Sequence, residues 1–214
     1  MSDTLNATQI KALFLHVADR VIAAKEMLSE ADRNIGDGDH GIGMSNGFEA
    51  VQKELNSKDF DDVYTIFSTA GRTMIREMGG ASGIIFGLLF FAGSKNMPPQ
   101  SELSVDDFVE IFTKALVEIQ AKGGAKVGDK TLVDGLSPAV DGMRKSLLEG
   151  GDYKTVLASA LAGAEAGKEA SKAFIARFGK AKTLGERAIG YPDAGCVTLT
   201  IIFSAICEWA ETNL

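Results

Sequence analysis

Residues that usually carry catalysis are scarce in this chain. It has two cysteines and two histidines among 214 residues. Cys196 and Cys207 fall on one expected helix, roughly 16 Å apart along its axis, which is beyond disulfide reach. Packed thiols in a reducing, cytoplasmic compartment are therefore expected. No basic cluster or arm is present, and the formal charge is −7 with a pI near 4.9. That excludes a nucleic-acid partner, whose phosphates demand grouped Lys and Arg. The longest apolar run, residues 84–92, is broken by Gly87 and is too short to span a bilayer. Residues 1–30 are amphipathic and charged, which argues against a signal peptide and a membrane partner. Walker-type and Rossmann glycine loops are missing, as is a Ser-His-Asp set.

What the chain does contain is helical periodicity. Apolar residues recur at helical spacing from Ile10 through Leu28, with Asn6 or Thr8 available as a cap. Further helices are expected over 45–55, 60–78, 83–95, 104–124, 132–149, 152–177 and 193–213. The fourth is apolar nearly all round and should be central. The last passes for a strand by propensity around Cys196–Phe203, but its length favours helix. No other stretch alternates convincingly. The expected fold class is all-α: one domain, residues 1–214, of about eight up-and-down helices.

If those helices alternate in direction, the connections 31–43, 79–83, 123–131 and 178–193 share one end. They carry thirteen of the 24 glycines and nearly all the suggestive polar residues. The opposite connections, near 56–59, 94–100 and 150–151, read as plain links. One end is thus a candidate site and the other a scaffold.

The richest loop reads Asp32 and then Gly36-Asp37-Gly38-Asp39-His40-Gly41. Grouped carboxylates repel unless a cation lies between them, and hard oxygen ligands suit Mg²⁺ or Ca²⁺. The alternative is a solvated acidic turn that caps the next helix. An EF-hand is excluded, because the twelfth position from Asp37 is Phe48 rather than a bidentate Glu. Gly79-Gly80-Ala81-Ser82-Gly83 offers free amides at a helix start, which suits phosphate, with Ser82 as a potential cap; a tight interhelical turn is the alternative. Lys126 and Lys130 in the third loop, and Lys180 and Arg187 in the fourth, add cations. Thr131 and Asp193 also read as helix caps. His40 can meet a phosphate or base, or orient Asp39, whereas His16 reads as a surface or packed residue.

Taken in order, Asp32-x-x-x-x-Asp37-Gly38-Asp39-His40-Gly41, Gly79–Gly83, Gly128-Asp129-Lys130-Thr131 and Gly185-Glu186-Arg187-x-x-Gly190-x-x-Asp193-x-Gly195 resemble one family. It is that of the nucleotide-binding L subunits of bacterial, phosphotransferase-system-dependent dihydroxyacetone kinases, and the resemblance covers nearly the whole chain. It implies a barrel of eight antiparallel helices with ADP at one rim, and two Mg²⁺ ions held by Asp32, Asp37 and Asp39. His40, Gly41, Ile42, Gly43, Ala81, Ser82, Gly123, Leu132, Lys180, Asp193, Ala194 and Gly195 would surround the nucleotide. ADP would stay bound, be rephosphorylated in place by a phosphohistidine donor subunit, and pass phosphate to dihydroxyacetone on a separate kinase subunit. Gly43 stands where such relatives often carry Asn, and Lys180 where Arg is usual; both bear on how tightly ADP is held. An ATP-exchanging kinase subunit for a small ketose, and a non-catalytic nucleotide sensor or carrier, are the alternatives. A homodimer is left open.

Overall fold

A computed structural model describes residues 4–214. In chain order the elements are β1 (Thr4–Asn6), α1 (Ala7–Ala23), α2 (Lys25–Arg33), α3 (His40–Asn56), α4 (Val63–Met78), α5 (Gly80–Ser94), β2 (Glu102–Ser104), α6 (Val105–Gly123), α7 (Leu132–Leu148), α8 (Tyr153–Ser171), a 3₁₀ segment (Lys180–Ala188) and α9 (Ala194–Asn213). Several helix starts are dictated locally. Asn6 and Gln9 form a capping box on α1, as do Ser104 and Asp107 on α6 and Thr131 and Asp134 on α7. Asp62, Asp152 and Asp193 accept main-chain N–H groups at the starts of α4, α8 and α9.

The long helices form a closed ring. α1 packs on α3, then contacts run α3–α4–α5–α6–α7–α8–α9, and α9 returns to α1. Successive helices run in opposite directions, so the starts of α3, α5, α7 and α9 share one rim. Apolar residues from every helix fill the interior, among them Phe14, Phe48, Phe67, Phe112 and Phe203. Small residues let the walls close tightly. A Cβ on Gly71 would lie 2.4 Å from the Gly87 carbonyl of α5, and one on Gly167 would lie 2.0 Å from the Asp134 carbonyl of α7. α9 is apolar over 20 residues, but its buried face, including Leu199, Ile202 and Trp209, belongs to this interior.

Four local expectations are corrected. The first helix does not run unbroken to Leu28. It breaks at Ala24, and α2 turns to pack on α3 and α9, carrying Asp32 to the rim. The all-α class holds, but the expected lack of any strand is corrected locally, since β1 and β2 pair antiparallel with Leu5 opposite Leu103. Three residues per strand are too few for alternation to register in sequence. The helix expected over 45–55 starts earlier, at His40, so Gly41 and Gly43 are helical rather than loop residues. The helix expected to reach residue 177 stops at Ser171, and part of the following loop winds into the 3₁₀ segment.

Candidate functional site

The acidic loop is organised by its own first carboxylate. Asp32, at the end of α2, accepts the Gly38 N–H at 2.8 Å and the His40 N–H at 3.3 Å. Gly38 makes the return possible with φ +80°, a backbone state that suits glycine. Asp32, Asp37 and Asp39 then converge, each offering an oxygen within 4.8 Å of the others. The cluster already gathers one cation: the Lys180 ammonium donates to Asp37, and to Asp39 at 3.0 Å. The Asp37 pKa is lowered by its hydrogen bond from Lys180, and the Lys180 pKa is raised to about 12 by the same partner. A rim of hard oxygens that collects an ammonium suits a hard divalent cation of higher charge.

Beside this cluster opens a cavity of about 690 Å³, within the range of small-molecule and cofactor sites. The starts of α3 and α5 border it, and neither has a side-chain cap. At α5 the first N–H groups are thus available to an anion, as is the positive end of α3 beyond His40, whose own N–H is held by Asp32. Ser82 lies inside α5 rather than capping it; Gly79 holds that position at φ +64°. Ile35, Ile85, Phe86, Ile119, Val133 and Phe178 give the cavity an apolar wall. Polar mouth and apolar wall together suit a molecule with a charged head and a flat, weakly polar body.

Of the residues singled out from sequence, Asp32, Asp37, Asp39, His40, Ile42, Gly43, Ala81, Ser82, Gly123, Leu132, Lys180, Asp193, Ala194 and Gly195 all line this cavity. Gly41 does not. It is buried against α2, where a Cβ would lie 2.1 Å from the Lys25 carbonyl, so its smallness serves packing. His40 turns inward and bonds Thr198 Oγ1 through Nε2 at 2.7 Å. Burial lowers its pKa, against the pull of Asp32 and Asp39. Asp193 caps α9 by accepting the Cys196 N–H at 2.9 Å. Burial, with Asp134 nearby, raises its pKa to about 6.

The cations divide unexpectedly. Lys126 and Arg187 are exposed and stay out of the lining, while Lys130 lines the cavity but turns its ammonium to main-chain carbonyls. Asp134, which sequence reasoning passed over, organises the third loop: it accepts the Gly128 N–H at 2.5 Å and the Thr131 N–H at 2.7 Å. Its place three residues after Thr131 was the available signal, a capping box. Thr198 and the apolar wall left no local signal.

The fold and rim define a class: closed, antiparallel helical barrels with an acid-lined cavity at one end. Two solved structures share the fold, both of the dihydroxyacetone kinase of C. freundii. The native form has a TM-score of 0.73 at 23% identity, covering 97% of this chain and 35% of that one. The form in complex with AMP-PNP and Mg²⁺ has a TM-score of 0.72. Residues 34–208 match the DAK2 domain. The ADP-binding subunit DhaL of the PEP-dependent dihydroxyacetone kinase of Escherichia coli is 30% identical over 97% of this chain and 99% of its own length. A Listeria innocua counterpart is 32% identical over 89% and 90%. The chain belongs to the DAK2 domain family, and within it to the DhaL subunits.

Proposed function

We propose that residues 1–214 form one nucleotide-holding domain that works as the ADP-binding subunit of a PEP-dependent dihydroxyacetone kinase in the cytoplasm. The observation that carries this reading is the convergence of three carboxylates at the mouth of a cavity bordered by two uncapped helix starts. Asp32, Asp37 and Asp39 would hold two Mg²⁺ ions. The amides at the start of α5, and those of α3 beyond His40, would receive phosphate oxygens, and the wall formed by Ile35, Phe86 and Phe178 would pack the base. Mg-ADP bound there would accept a phosphoryl group to become ATP, and that ATP would donate it, with the ions neutralising phosphate charge in both directions. Lys180, exposed and paired with Asp37 and Asp39, would turn to phosphate where the ions took those carboxylates. In this reading the phosphohistidine donor and the dihydroxyacetone-bearing subunit would be separate proteins that dock on this rim.

Mass spectrometry of gently purified protein tests this directly, with ADP and magnesium expected in stoichiometric amount. In the reconstituted system, Asp37→Asn is expected to abolish turnover. Retained turnover would instead favour a non-catalytic sensor or carrier.

A second reading, an ATP-exchanging kinase subunit, is supported by two positions. Gly43 offers no side chain to the cavity, and an added Cβ there would meet only Met78 Cε, at 4.0 Å. Lys180 is a point charge without the bidentate fork of Arg. ADP surviving desalting supports the retained cofactor, and its ready loss supports exchange.

A further inference from the structure

The side chain of Lys130 is only 2% exposed, among the largest fully buried groups of the protein. Its backbone sits at φ +58°, a left-handed state rare for a non-glycine residue. A buried ammonium is costly unless paired and hydrogen-bonded. Here Nζ donates to the Ser171 carbonyl at 2.6 Å and to the Tyr191 carbonyl at 2.5 Å. Those carbonyls flank the segment 172–190, which leaves α8 and returns to α9. Three further bonds gather the same neck: Gly190 N–H to the Lys172 carbonyl at 2.8 Å, Asp193 N–H to Ser171 Oγ at 3.0 Å, and Arg177 N–H to the Asp129 carbonyl at 3.0 Å. The segment itself carries Phe178 and Lys180 into the cavity.

We propose that Lys130 is a positioning residue: its buried ammonium clasps the neck of the 172–190 lobe and thereby sets where Lys180 and Phe178 stand over the nucleotide. Lys130 does not touch the ligand in this role. It acts through the lobe, as the only buried cation joining the loop before α7 to both ends of that excursion among the described residues. Burial lowers its pKa, opposed by Asp193, Cys196 and Asp134. Its bearing on nucleotide rests on the functional reading above; its bearing on the lobe does not.

Lys130→Gly removes the ammonium and its buried stem without backbone strain, because glycine takes positive φ freely. In the ligand-free protein, trypsin is expected to cut at Lys180, Lys182 and Arg187 at least tenfold faster in this variant than in wild type. By calorimetry, Mg-ADP affinity should fall at least tenfold, while binding of Mg²⁺ alone is held or tightened, since a loosened Lys180 competes less for Asp37 and Asp39. A merely structural lesion would weaken both. Lys130→Gln, whose amide can donate to one carbonyl, guards against loss of fold and should fall between wild type and Lys130→Gly. If Lys130 works by placing Lys180, its effect on Mg-ADP affinity should largely vanish in a Lys180→Met background. A folded Lys130→Gly with wild-type trypsin resistance, or additive effects with Lys180→Met, overturns the proposal. Wild-type protein that fails to bind Mg-ADP would sink the functional reading instead, and the trypsin comparison would still judge the clasp.

Discussion

At the far end of the barrel, α1, α4, α6 and α8 begin on Asn6, Asp62, Ser104 and Asp152, and each of these side chains accepts a main-chain N–H. At the rim, α7 and α9 are likewise closed by Thr131 and Asp193, but α3 and α5 are not. The far end is also tied across its connections. Asp62 accepts the Gln100 N–H, and β1 pairs with β2. Against its own burial, hydrogen bonds from Thr65, Gln100 and Tyr64 hold the Asp62 carboxyl below its usual range. The difference separates two uses of a helix start. Where every helix start is capped by its own N-cap side chain the end reads as scaffold, and where two starts lack that cap, beside converging carboxylates, the end carries the proposed site.

The sharpest way to break that contrast is Asp37→Asn. Under the proposed ligation, removing one carboxylate charge should lower Mg-dependent ADP affinity at least 100-fold, about 2.7 kcal/mol, as read by calorimetry. The thermal midpoint of the ligand-free protein should barely move, because loss of the exposed Lys180 pair is offset by relieved repulsion from Asp32 and Asp39. A loss of fold without loss of affinity would reverse the assignment of rim and scaffold.

Next in size is a change in the wall, which belongs to neither end. Gly71→Ala places a methyl 2.4 Å from the Gly87 carbonyl. It should cost about 2 kcal/mol in urea unfolding, as overpacking of a close helix contact does. Affinity for Mg-ADP should be altered only through the fraction folded.

Asp193 sharpens the comparison from within the rim, since it caps like a far-end residue yet is electrostatically strained. Its folded pKa of about 6 lies above its ordinary value of 3.8. The folded state therefore holds the proton more tightly, and Asp193 is most favourable below about pH 4; stability is lost as pH rises through 6. Asp193→Asn keeps an oxygen for the Cys196 N–H while removing the charge. It should stabilise the ligand-free protein by about 1–2 kcal/mol at pH 8, discounted because Lys130 loses a neighbouring anion, with little effect at pH 4. Denaturant midpoints across that range check it.

The smallest effect is expected at the far end. Ser104→Ala removes a cap and half of a capping box, worth about 1 kcal/mol of unfolding free energy. Mg-ADP affinity should be unchanged. A measurable loss of binding would mean that the far end is coupled to the site.

Much of this was legible residue by residue. The capping boxes at Asn6, Ser104 and Thr131 mark helix starts because donor and acceptor lie three positions apart. The acidic loop announces itself because Asp32, Asp37 and Asp39 fall within eight residues. The break at Ala24 was not legible, since periodicity runs on to Leu28. Only the packing of α2 against Gly41 requires the turn, and Gly41 itself reads equally well as a loop glycine or a contact glycine. Lys130 shows the same gap. In sequence it is one more cation beside a glycine loop, and its carbonyl partners lie 41 and 61 positions away.

Periodicity, capping and the clustering of acids are local, so the chain alone determined where most of its helices lie, the sharing of one end by its glycine-rich connections, and which carboxylates cluster. Tertiary structure decided which amides stayed free, which cation faced the acids and which was turned inward, and where the apolar wall stood. Those outcomes depend on long-range contacts, and a side chain's partner across the barrel leaves no trace in its sequence neighbours.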